Sequence, residues 1–501
     1  MNPWPANDSQ SMRPFLAALE RQGELLRIDK MVDPCFELSA FLSAADAGPA
    51  LCFEQIKGSS LRIVGNLFNG RERIGAALRI GVGEILPRLR AAIEAPLAPA
   101  EGADAPVQSV VVTESPLGTL PVPRFFEHER WPYITAGTIV ARDPESGRGN
   151  LSFARLAILD GARAMIGIAP NHHLALFARR AAALGRTLDI AVVVGAHPAV
   201  QLAACLYLGV GDDEMECAGS LLGEPVRVVR SRTLDLMVPA EAELVLEGSI
   251  DASQPIEEGP VSEFHGMYED YGSGYLATFS AMTRRSDAIL QVIEPGYHRE
   301  HMYLAALPIA AGLQRAIAAV APNVRDVAVT ESGAGRTDVV VQIAAPRPGQ
   351  ARRVMFAVFA AVNLAKRVTV VDDDIDPWDP IAVDWARTNR MRLERDLMLI
   401  PNAGADRSEP MEQGGLVTKI GFDATAKAGD RAEGNVRAQP PAGVRESVNR
   451  WLLEHLPAPR RRWLKCASRG SSSRSREPPA RSTGSRRCSC FAGSAPWRPI
   501  W

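Results

Sequence analysis

A glycine-proline corner, Gly259-Pro260, constrains the fold of this chain more than any other short stretch. Proline has no backbone N–H and fixes φ at about −65°, so it fits neither a helix interior nor a central strand. Glu258 must therefore end one segment, and Glu263 must begin the next. Two carboxylates on either side of a tight corner can share a pocket, where like charges separate their pKa values. The corner is thus a candidate acid/base pair, and the alternative is a surface turn with two solvated acids.

The length of 501 residues allows two or three domains with sizeable cores. A hydrophobic fraction of 46% and a charged fraction of 23% are ordinary for a globular protein. No run approaches the roughly 20 apolar residues that span a bilayer, and the first residues lack the basic-then-apolar pattern of a signal peptide. Seven cysteines without a CxxC pair fit a reducing compartment. We therefore expect a cytoplasmic protein with no membrane span.

The charge is unevenly distributed along the chain. Residues 466–501 contain seven Arg and one Glu, a net charge of +6. Because the whole chain carries −2, the first 465 residues carry −8. An acidic body of this kind argues against a nucleic-acid partner.

Hydrophobic periodicity divides the chain into three folded parts. Helices and strands are mixed in residues 1–115, strands dominate residues 116–295, and helices alternate with strands in residues 296–440. Residues 441–465 are expected to form a terminal helix, and residues 466–501 a disordered tail that is rich in Ser and Arg and has no periodicity. The fold class is therefore α+β, with a central barrel or mixed sheet rather than a doubly wound sheet.

Two local patterns near the ends of strands can be tested directly. Residues 242–250 are predicted to form one strand. A buried strand at 367–371 runs into Asp372-Asp-Asp-Ile-Asp376, which places acids at its carboxyl end. Ligands often bind at that edge of an open α/β sheet, but a solvated acidic loop is the favoured interpretation.

Three polar side chains could together bind a metal ion. Asn150 lies on an apolar strand, His172 and His173 precede a helix, and Glu214 lies in an acidic turn. One amide, one imidazole and one carboxylate would suit Mg²⁺ or Mn²⁺ rather than a thiolate-bound zinc. Taken separately, the histidines could instead cap their helix, and Glu214 could be solvated.

Arg155 lies on the same predicted strand as Asn150. A buried arginine needs a partner or must face a pocket, and the alternative is an edge arginine in water. The two residues are five positions apart, so a regular strand would send their side chains to opposite faces. A bulge, or a strand that starts at Asn150, is needed to bring both into one site.

The chain resembles the UbiD family of (de)carboxylases, which use prenylated flavin mononucleotide (prenylated FMN). The resemblance spans roughly residues 12 to 427, and its most specific marks are the segment from Val238 to Gly248 and the corner itself. The marks, in chain order, are Asn150-x4-Arg155, His173, Glu214 four residues before Ala218-Gly219, Val238-Pro-Ala-x-Ala-Glu-Leu-Val-Leu-Glu-Gly248, Glu258-Gly-Pro-x-x-Glu263-Phe-x-Gly266, Gly349-x-Ala-Arg-Arg-Val-Met355, Val371-Asp-Asp-Asp-Ile-Asp376 and Thr418-Lys419-x-Gly-Phe-Asp-Ala-Thr425.

The resemblance implies a set of cofactor-binding residues. Asn150, His173 and Glu214 would bind a divalent ion, Mn²⁺ or Mg²⁺, that bridges to the flavin phosphate, with K⁺ nearby. His172 is the alternative imidazole ligand. Lys419, and the basic residues around Arg387, would contact the phosphate, while Arg155 would lie at the cofactor and the substrate together.

The resemblance also implies a catalytic triad of Arg155, Glu258 and Glu263. The modified flavin would supply the electrophile that takes up electrons as CO₂ leaves. Glu263 would deliver the replacing proton, Arg155 would hold the substrate carboxylate or order the two acids, and Glu258 would be kept ionised by Arg155.

As a member of this family the protein would be a decarboxylase of an aromatic, heteroaromatic or α,β-unsaturated carboxylic acid. Its central domain would be a split-β-barrel-like prenyl-FMN-binding domain, its C-terminal α/β domain would form a homodimer, and an FMN prenyltransferase would supply its cofactor. A catalytically inactive flavin-binding relative or assembly subunit, and a metal-dependent hydrolase, are the alternatives. No P-loop, HExxH or GxSxG motif occurs, which removes the commonest competing enzymes.

Overall fold

The computed structural model describes residues 10–427 and 440–455. Its mixed helices and strands confirm the α+β class, with a curled sheet in the central part. The predicted disordered tail, 466–501, lies outside the described residues. The domain boundaries given above stay predictions.

The N-terminal part is a sheet flanked by helices. The first helix buries Phe15, Leu16 and Leu19 on one face, and Gly23, at φ +70°, allows the chain to turn into the first strand. Its elements are α1 (Arg13–Arg21), β1 (Leu25–Val32), α2 (Glu37–Ala44), β2 (Ala50–Ile56), β3 (Arg62–Gly65), α3 (Arg71–Leu78) and α4 (Ile85–Glu94).

The central part is dominated by strands, as predicted. Its strands are β4 (Ala100–Glu101), β5 (Val110–Val112), β6 (Tyr133–Ile134), β7 (Thr138–Arg142), β8 (Gly149–Phe153), β9 (Arg155–Ile158), β10 (Arg163–Gly167), β11 (Leu188–Val194), β12 (Arg227–Arg230), β13 (Met237–Pro239), β14 (Leu244–Glu257), β15 (Val261–Ser262), β16 (Tyr268–Glu269), β17 (Ser273–Arg284) and β18 (Ile289–Gln291). Its helices are α5 (His173–Ala183), α6 (Pro198–Ala203) and α7 (Glu214–Leu222).

The main central sheet curls back on itself. Its strands follow the order β6-β9-β10-β17-β14-β11-β7-β8, and β5 adds to β17. Strands β8 and β9 stand near opposite ends of this order, yet one residue, Ala154, separates them in the chain. A flat sheet could not join its distant strands through one residue, so the two ends meet. The strand β18 follows the central strands in the chain but belongs to the N-terminal sheet, whose order is β1-β2-β3-β18.

The strand predicted to end at residue 250 is longer than expected. β14 continues to Glu257 and pairs with β17 on both sides of an irregularity between Asp251 and Pro255, so it delivers Glu258 directly to the corner. The sequence prediction stopped early because residues 251–254 are mostly polar and Pro255 follows them. The structure accommodates Pro255 at a register shift between Asp251 and Pro255, where a strand tolerates a missing N–H.

The C-terminal part alternates helices and strands, as expected. Its sheet order is β19-β20-β21-β23-β22. Its elements are α8 (Arg299–Ala318), β19 (Val324–Val329), β20 (Asp338–Ile343), α9 (Gln350–Ala361), β21 (Arg367–Asp372), α10 (Pro380–Arg390), α11 (Leu393–Asp396), β22 (Leu397–Gly404) and β23 (Leu416–Asp423).

The acidic run after β21 is only partly solvated: Asp373 is exposed, whereas Asp372 and Asp374 bind Arg390. Arg390, 3% exposed, donates to Asp372 at 3.1 Å and to Asp374 at 2.8 Å. Burial raises the pKa of Asp372 to about 6. The run therefore holds α10 against the end of β21.

A separate unit contains helix α12 (Ala442–His455), which falls within the predicted terminal helix, 441–465. In the parts of the chain that the structure describes, no helix is both long enough and apolar enough to cross a membrane.

Candidate active site

The predicted triad assembles at the corner. Arg155 donates from Nε to Glu258 Oε1 at 2.6 Å and from Nη2 to Glu258 Oε2 at 2.8 Å. It reaches Glu263 Oε1 only through Nη1, at 3.4 Å. Glu258 is 2% exposed, whereas the Glu263 side chain is 13% exposed. Glu258 therefore forms a buried, two-bond ion pair with Arg155, whereas Glu263 makes one longer contact with it and is partly exposed to solvent.

Arg155 is placed by the join between β8 and β9. Ala154 interrupts the strand, so Asn150 belongs to β8, which pairs with β7, and Arg155 opens β9, which pairs with β10. The expected bulge is thus a complete change of strand partner at one residue. Burial would lower the pKa of Arg155, but Glu258 and then Glu263 outweigh this effect and raise it.

Glu263 is presented by a tight turn that begins at Gly259, whose φ is +76°. Its N–H donates to Met267 O at 3.0 Å, and its carbonyl accepts from Gly266 N at 2.8 Å. The preceding Ser262 points elsewhere and donates to Glu129 at 2.8 Å. These bonds fix the backbone on both sides of Glu263 while its carboxylate faces Arg155.

His265 and Tyr268, further along the corner, are engaged locally. His265 Nδ1 accepts from Met267 N at 3.3 Å, and its Nε2 lies 3.4 Å from Glu269. Tyr268 packs on His128 with ring centroids 4.9 Å apart. Both side chains therefore pack around the turn, although Tyr268 also lines the neighbouring cavity.

Asn150 and Glu214 come together as the resemblance implies. Glu214 opens α7 and is 3% exposed; its Oε2 accepts from Asn150 Nδ2 at 3.0 Å and from Leu151 N at 2.8 Å. Burial raises the pKa of Glu214 to about 7. Gly149 makes the approach possible, because a Cβ there would lie 2.2 Å from the carboxylate of Asp213, the N-cap of α7. The importance of Gly149 was not predicted.

His173 is the first residue of α5, and His172 is the N-cap residue. The side chain of His172 makes no capping hydrogen bond, so the capping alternative is not realised. Helix α5 packs against β8, which carries Asn150. Over residues 10–427 and 440–455, no cluster of three His, Cys, Asp or Glu side chains is close enough to bind a metal ion. A site that includes Asn150 is not of that kind: the structure joins Asn150 to Glu214, and His173 begins the helix that packs against β8.

Lys419 lies on β23 and is 4% exposed. Its Nζ donates to Asn363 O at 2.7 Å, and burial lowers its pKa. Arg387 donates to Thr369 Oγ1 at 2.6 Å and to Asp384 at 2.7 Å. Both cations are therefore occupied by partners within the C-terminal part.

Two residues beside the triad escaped the sequence prediction. The Arg155 guanidinium carbon lies 5.5 Å from the centre of the Tyr271 ring, and the Arg407 carbon lies 4.3 Å from the same ring. Tyr271 is three residues after Tyr268, so the aromatic spacing around the corner was a usable signal. Arg407 lies in a loop of the C-terminal part, and nothing local in the sequence indicates its position.

A cavity of about 280 Å³ lies next to the corner. Ser262 and Tyr268 line it from the corner, and His298, Glu294 and Asp46 line it from the opposite side. His298 Nε2 lies 3.2 Å from Asp46 and 3.3 Å from Glu294. Burial lowers the pKa of His298 and raises the pKa of Glu294 to about 7.

Family models match all three parts of the chain. They describe the N-terminal, Rift-related and C-terminal domains of 3-octaprenyl-4-hydroxybenzoate carboxy-lyase, UbiD, and match residues 16–93, 99–298 and 302–424 respectively. The chain therefore belongs to the UbiD family, and it is a carboxy-lyase. The family suspected from the sequence is confirmed.

Individual relatives extend this comparison. The chain is 32% identical over 422 residues to an anhydromevalonate phosphate decarboxylase of Methanothermobacter thermautotrophicus, which covers 83% of this chain and 96% of the relative. It is similar to the UbiD-class enzyme HmfF from Pelotomaculum thermopropionicum in complex with FMN, with 35% identity, a TM-score of 0.83 and coverage of 86% and 97%. An evolved dimeric form of HmfF in complex with prenylated FMN has 34% identity, a TM-score of 0.80 and coverage of 87% and 98%.

Proposed function

We propose that this protein is a prenylated-FMN-dependent decarboxylase in which Glu263 supplies the proton that replaces CO₂. The observation that carries the proposal is the unequal engagement of Arg155, which binds Glu258 at 2.6 and 2.8 Å and Glu263 only at 3.4 Å. A proton donor must be able to leave its ion pair, and a charge-balancing partner must not. Glu263 meets the first requirement, and Glu258 meets the second.

The residues present fit the implied metal and flavin. Asn150 and Glu214 bring an amide and a buried carboxylate together, the oxygen ligands that Mn²⁺ or Mg²⁺ accepts. His173 would complete the set from the adjacent start of α5. These residues would hold the flavin phosphate through the metal, with Lys419 as a further phosphate contact and with K⁺ nearby. The flavin, when bound, supplies an electrophilic centre that accepts electrons from the substrate.

The triad then performs the proton chemistry. Loss of CO₂ leaves the electron pair of the broken C–C bond on the substrate, and a proton must replace the carboxylate at that carbon. Glu263 delivers it and regains a proton from solvent, which its partial exposure permits. Arg155 orients Glu263 through Nη1 and is held in place by Glu258. Glu258 keeps the arginine neutralised throughout.

The substrate is a carboxylic acid whose double bond or ring can attack the flavin, so it is aromatic, heteroaromatic or α,β-unsaturated. The relative from Methanothermobacter acts on a phosphorylated acid, which favours a small acid with a second anionic group. We further propose that the protein is cytoplasmic, works as a homodimer and receives its cofactor from an FMN prenyltransferase. The evolved dimeric relative supports the assembly.

One experiment tests the proposal as a whole. The protein is produced together with an FMN prenyltransferase, and its absorbance, cofactor mass and metal content are measured. The holoprotein is then given candidate acids in D₂O, and CO₂ release and deuterium incorporation are followed. We expect one prenylated flavin and one Mn²⁺ per chain, with deuterium at the decarboxylated carbon. A folded protein that binds no flavin would overturn the proposal and favour an inactive relative.

A further inference from the structure

The loop between β22 and β23, residues 405–415, carries Arg407 on a fixed backbone. Ala405 N donates to Gly415 O at 2.9 Å and closes the base of the loop. Asp406 accepts from Ser408 N at 3.1 Å and from its hydroxyl at 2.7 Å. Glu409, 6% exposed, accepts from Lys366 Nζ at 2.6 Å. Both neighbouring acids thus bind inside the C-terminal part, so neither is used to neutralise Arg407.

Arg407 itself packs on Tyr271, the ring that Arg155 of the triad also approaches. Its side chain is exposed, and its guanidinium carbon lies 4.3 Å from the Tyr271 ring centre. Within the described residues, no carboxylate forms an ion pair with it. Arg155 approaches the same ring at 5.5 Å but is already neutralised by two glutamates. Of the two arginines at the Tyr271 ring, Arg155 is therefore committed to carboxylates and Arg407 is available.

The two ring distances, 4.3 and 5.5 Å, together limit the separation of the guanidinium carbons to 9.8 Å. A small acid can span this distance. If the reacting end of the acid lies beside Glu263, which Arg155 holds by one 3.4 Å contact, a second anionic group at the other end can reach Arg407. The planar guanidinium offers paired donors that match a carboxylate or a phosphate, and its contact with Tyr271 reduces the entropy lost on binding.

We propose that Arg407 binds a second anionic group, a carboxylate or a phosphate, on the substrate and so selects short doubly anionic acids. This inference rests on the proposed function and adds a specificity residue to it. An oxyanion at Arg407 could instead be the flavin phosphate. The two possibilities can be distinguished by experiment. If Arg407 binds the substrate, its removal lowers substrate affinity; if it binds the flavin phosphate, its removal lowers flavin occupancy.

The test uses holoenzyme and matched pairs of acids. One pair is anhydromevalonate phosphate with its unphosphorylated form, and the other is muconate with sorbate, in which a methyl group replaces the second carboxylate. Flavin occupancy, kcat, KM and equilibrium binding are compared for the wild type, Arg407→Ala, Arg407→Lys and Arg325→Ala. Arg325 is an exposed arginine on β19 and serves as the matched control.

We expect Arg407→Ala to raise KM and Kd for the doubly anionic acids about tenfold to a hundredfold, the scale of a charge-assisted hydrogen bond. For the singly charged acids, KM and Kd should change less than about twofold. Arg407→Lys should restore part of the affinity for the doubly anionic acids, and Arg325→Ala should behave like the wild type. Equal losses for both members of a pair, or no change in Kd, would overturn the proposal. Loss of flavin would assign Arg407 to the cofactor phosphate instead.

Binding is measured independently of turnover, so the two proposals can fail separately. A holoenzyme that binds a doubly anionic acid through Arg407 but releases no CO₂ contradicts the proposed function and supports this inference. An enzyme that decarboxylates both members of each pair equally well supports the function and contradicts this inference.

Discussion

Arg155 holds Glu258 through two parallel hydrogen bonds of 2.6 and 2.8 Å. Glu258 is 2% exposed, so it is a buried charge whose neutralisation depends on this arginine. Removing one partner of such a pair leaves an uncompensated charge, which costs about 3–5 kcal/mol. The triad therefore combines a structural ion pair with one more exposed acid.

This difference predicts that the two glutamates will respond differently to neutralisation. Glu258→Gln should lower both the free energy of unfolding and turnover, because it leaves Arg155 without its principal partner. Glu263→Gln should abolish turnover and deuterium incorporation while the free energy of unfolding changes by less than about 1 kcal/mol. Its ion pair with Arg155 is a single 3.4 Å contact, and the amide oxygen can still accept from Phe264 N, which lies 3.2 Å from the carboxylate. Urea unfolding and CO₂ release measure the two effects.

The exposed pair Arg163–Asp160, at 2.7 Å, offers the control for this comparison. Asp160→Asn should leave turnover unchanged. Turnover that survives Glu263→Gln, with the protein folded and the flavin bound, would remove Glu263 as the proton donor.

Replacing Gly149 should weaken the proposed metal site at Asn150 and Glu214. In Gly149→Ala the new Cβ would lie 2.2 Å from Asp213 Oδ2, so the Asp213 side chain must move. This movement disturbs its N-cap bond to Met215 N at the start of α7, where Glu214 lies, and so weakens the contact of Glu214 with Asn150. We expect metal affinity to fall by at least about tenfold, the scale of losses around metal ligands, and flavin occupancy to fall with it. Metal content and flavin absorbance of the purified variant provide the measurement.

Gly312→Ala is the matched control, because a Cβ at Gly312 meets no atom within 4 Å. That variant should bind metal and flavin like the wild type. If Gly149→Ala also does so, the position of Glu214 does not govern cofactor binding.

The two adjacent histidines should differ in effect. His173 opens α5, which packs against β8, whereas the exposed His172 stands just before the helix. His173→Ala should lose metal and flavin together, and His172→Ala should keep both. The reverse result would transfer the ligand role to His172, and unchanged flavin in both variants would remove the histidines from the metal site.

Glu294 predicts a pH dependence of stability. Burial raises its pKa from 4.5 to about 7, so the folded protein holds a proton that the unfolded chain releases. The stabilisation is complete below about pH 4.5 and is lost as the pH rises through about 7, a change of about 3 kcal/mol. Glu294→Gln, which cannot ionise, should unfold with a flatter pH profile.

Unfolding of the wild type, Glu294→Gln and the exposed control Glu114→Gln between pH 5 and 8 measures this effect. Asp46 and His298 are unchanged in all three proteins, so only the difference between profiles is attributed to Glu294. Parallel profiles for the wild type and Glu294→Gln would contradict the prediction.

The two carboxylates of the corner were recognisable from the sequence as a candidate acid/base pair, but their link to Arg155 came from the resemblance to the UbiD family; local spacing left Arg155 without a named partner. The order of parts and the strand-rich centre also followed from periodicity. The prediction that β14 ends at 250 was wrong, since an exposed strand can pass a proline at a register shift. Polarity alone does not distinguish such a strand from a loop.

The rest of the site depends on contacts between distant residues. The approach of Arg407 to Tyr271 joins the C-terminal loop to the corner, and no periodic pattern encodes it. The bond from Lys419 to the Asn363 carbonyl is equally invisible in the sequence. Gly149 stood next to a predicted ligand, but its role is set by Asp213, which arrives on another helix.

The one-residue join at Ala154 fixes the spacing between Asn150, a proposed metal ligand, and Arg155, a member of the proposed catalytic triad. Asn150 and Arg155 lie five residues apart, so an extended chain separates their backbones by at most about 18 Å, whatever the rest of the protein does. Substitutions in the C-terminal part, which carries Arg407, could change which substrates bind without changing this spacing. An insertion between 151 and 154 would alter the spacing even if every functional side chain were kept.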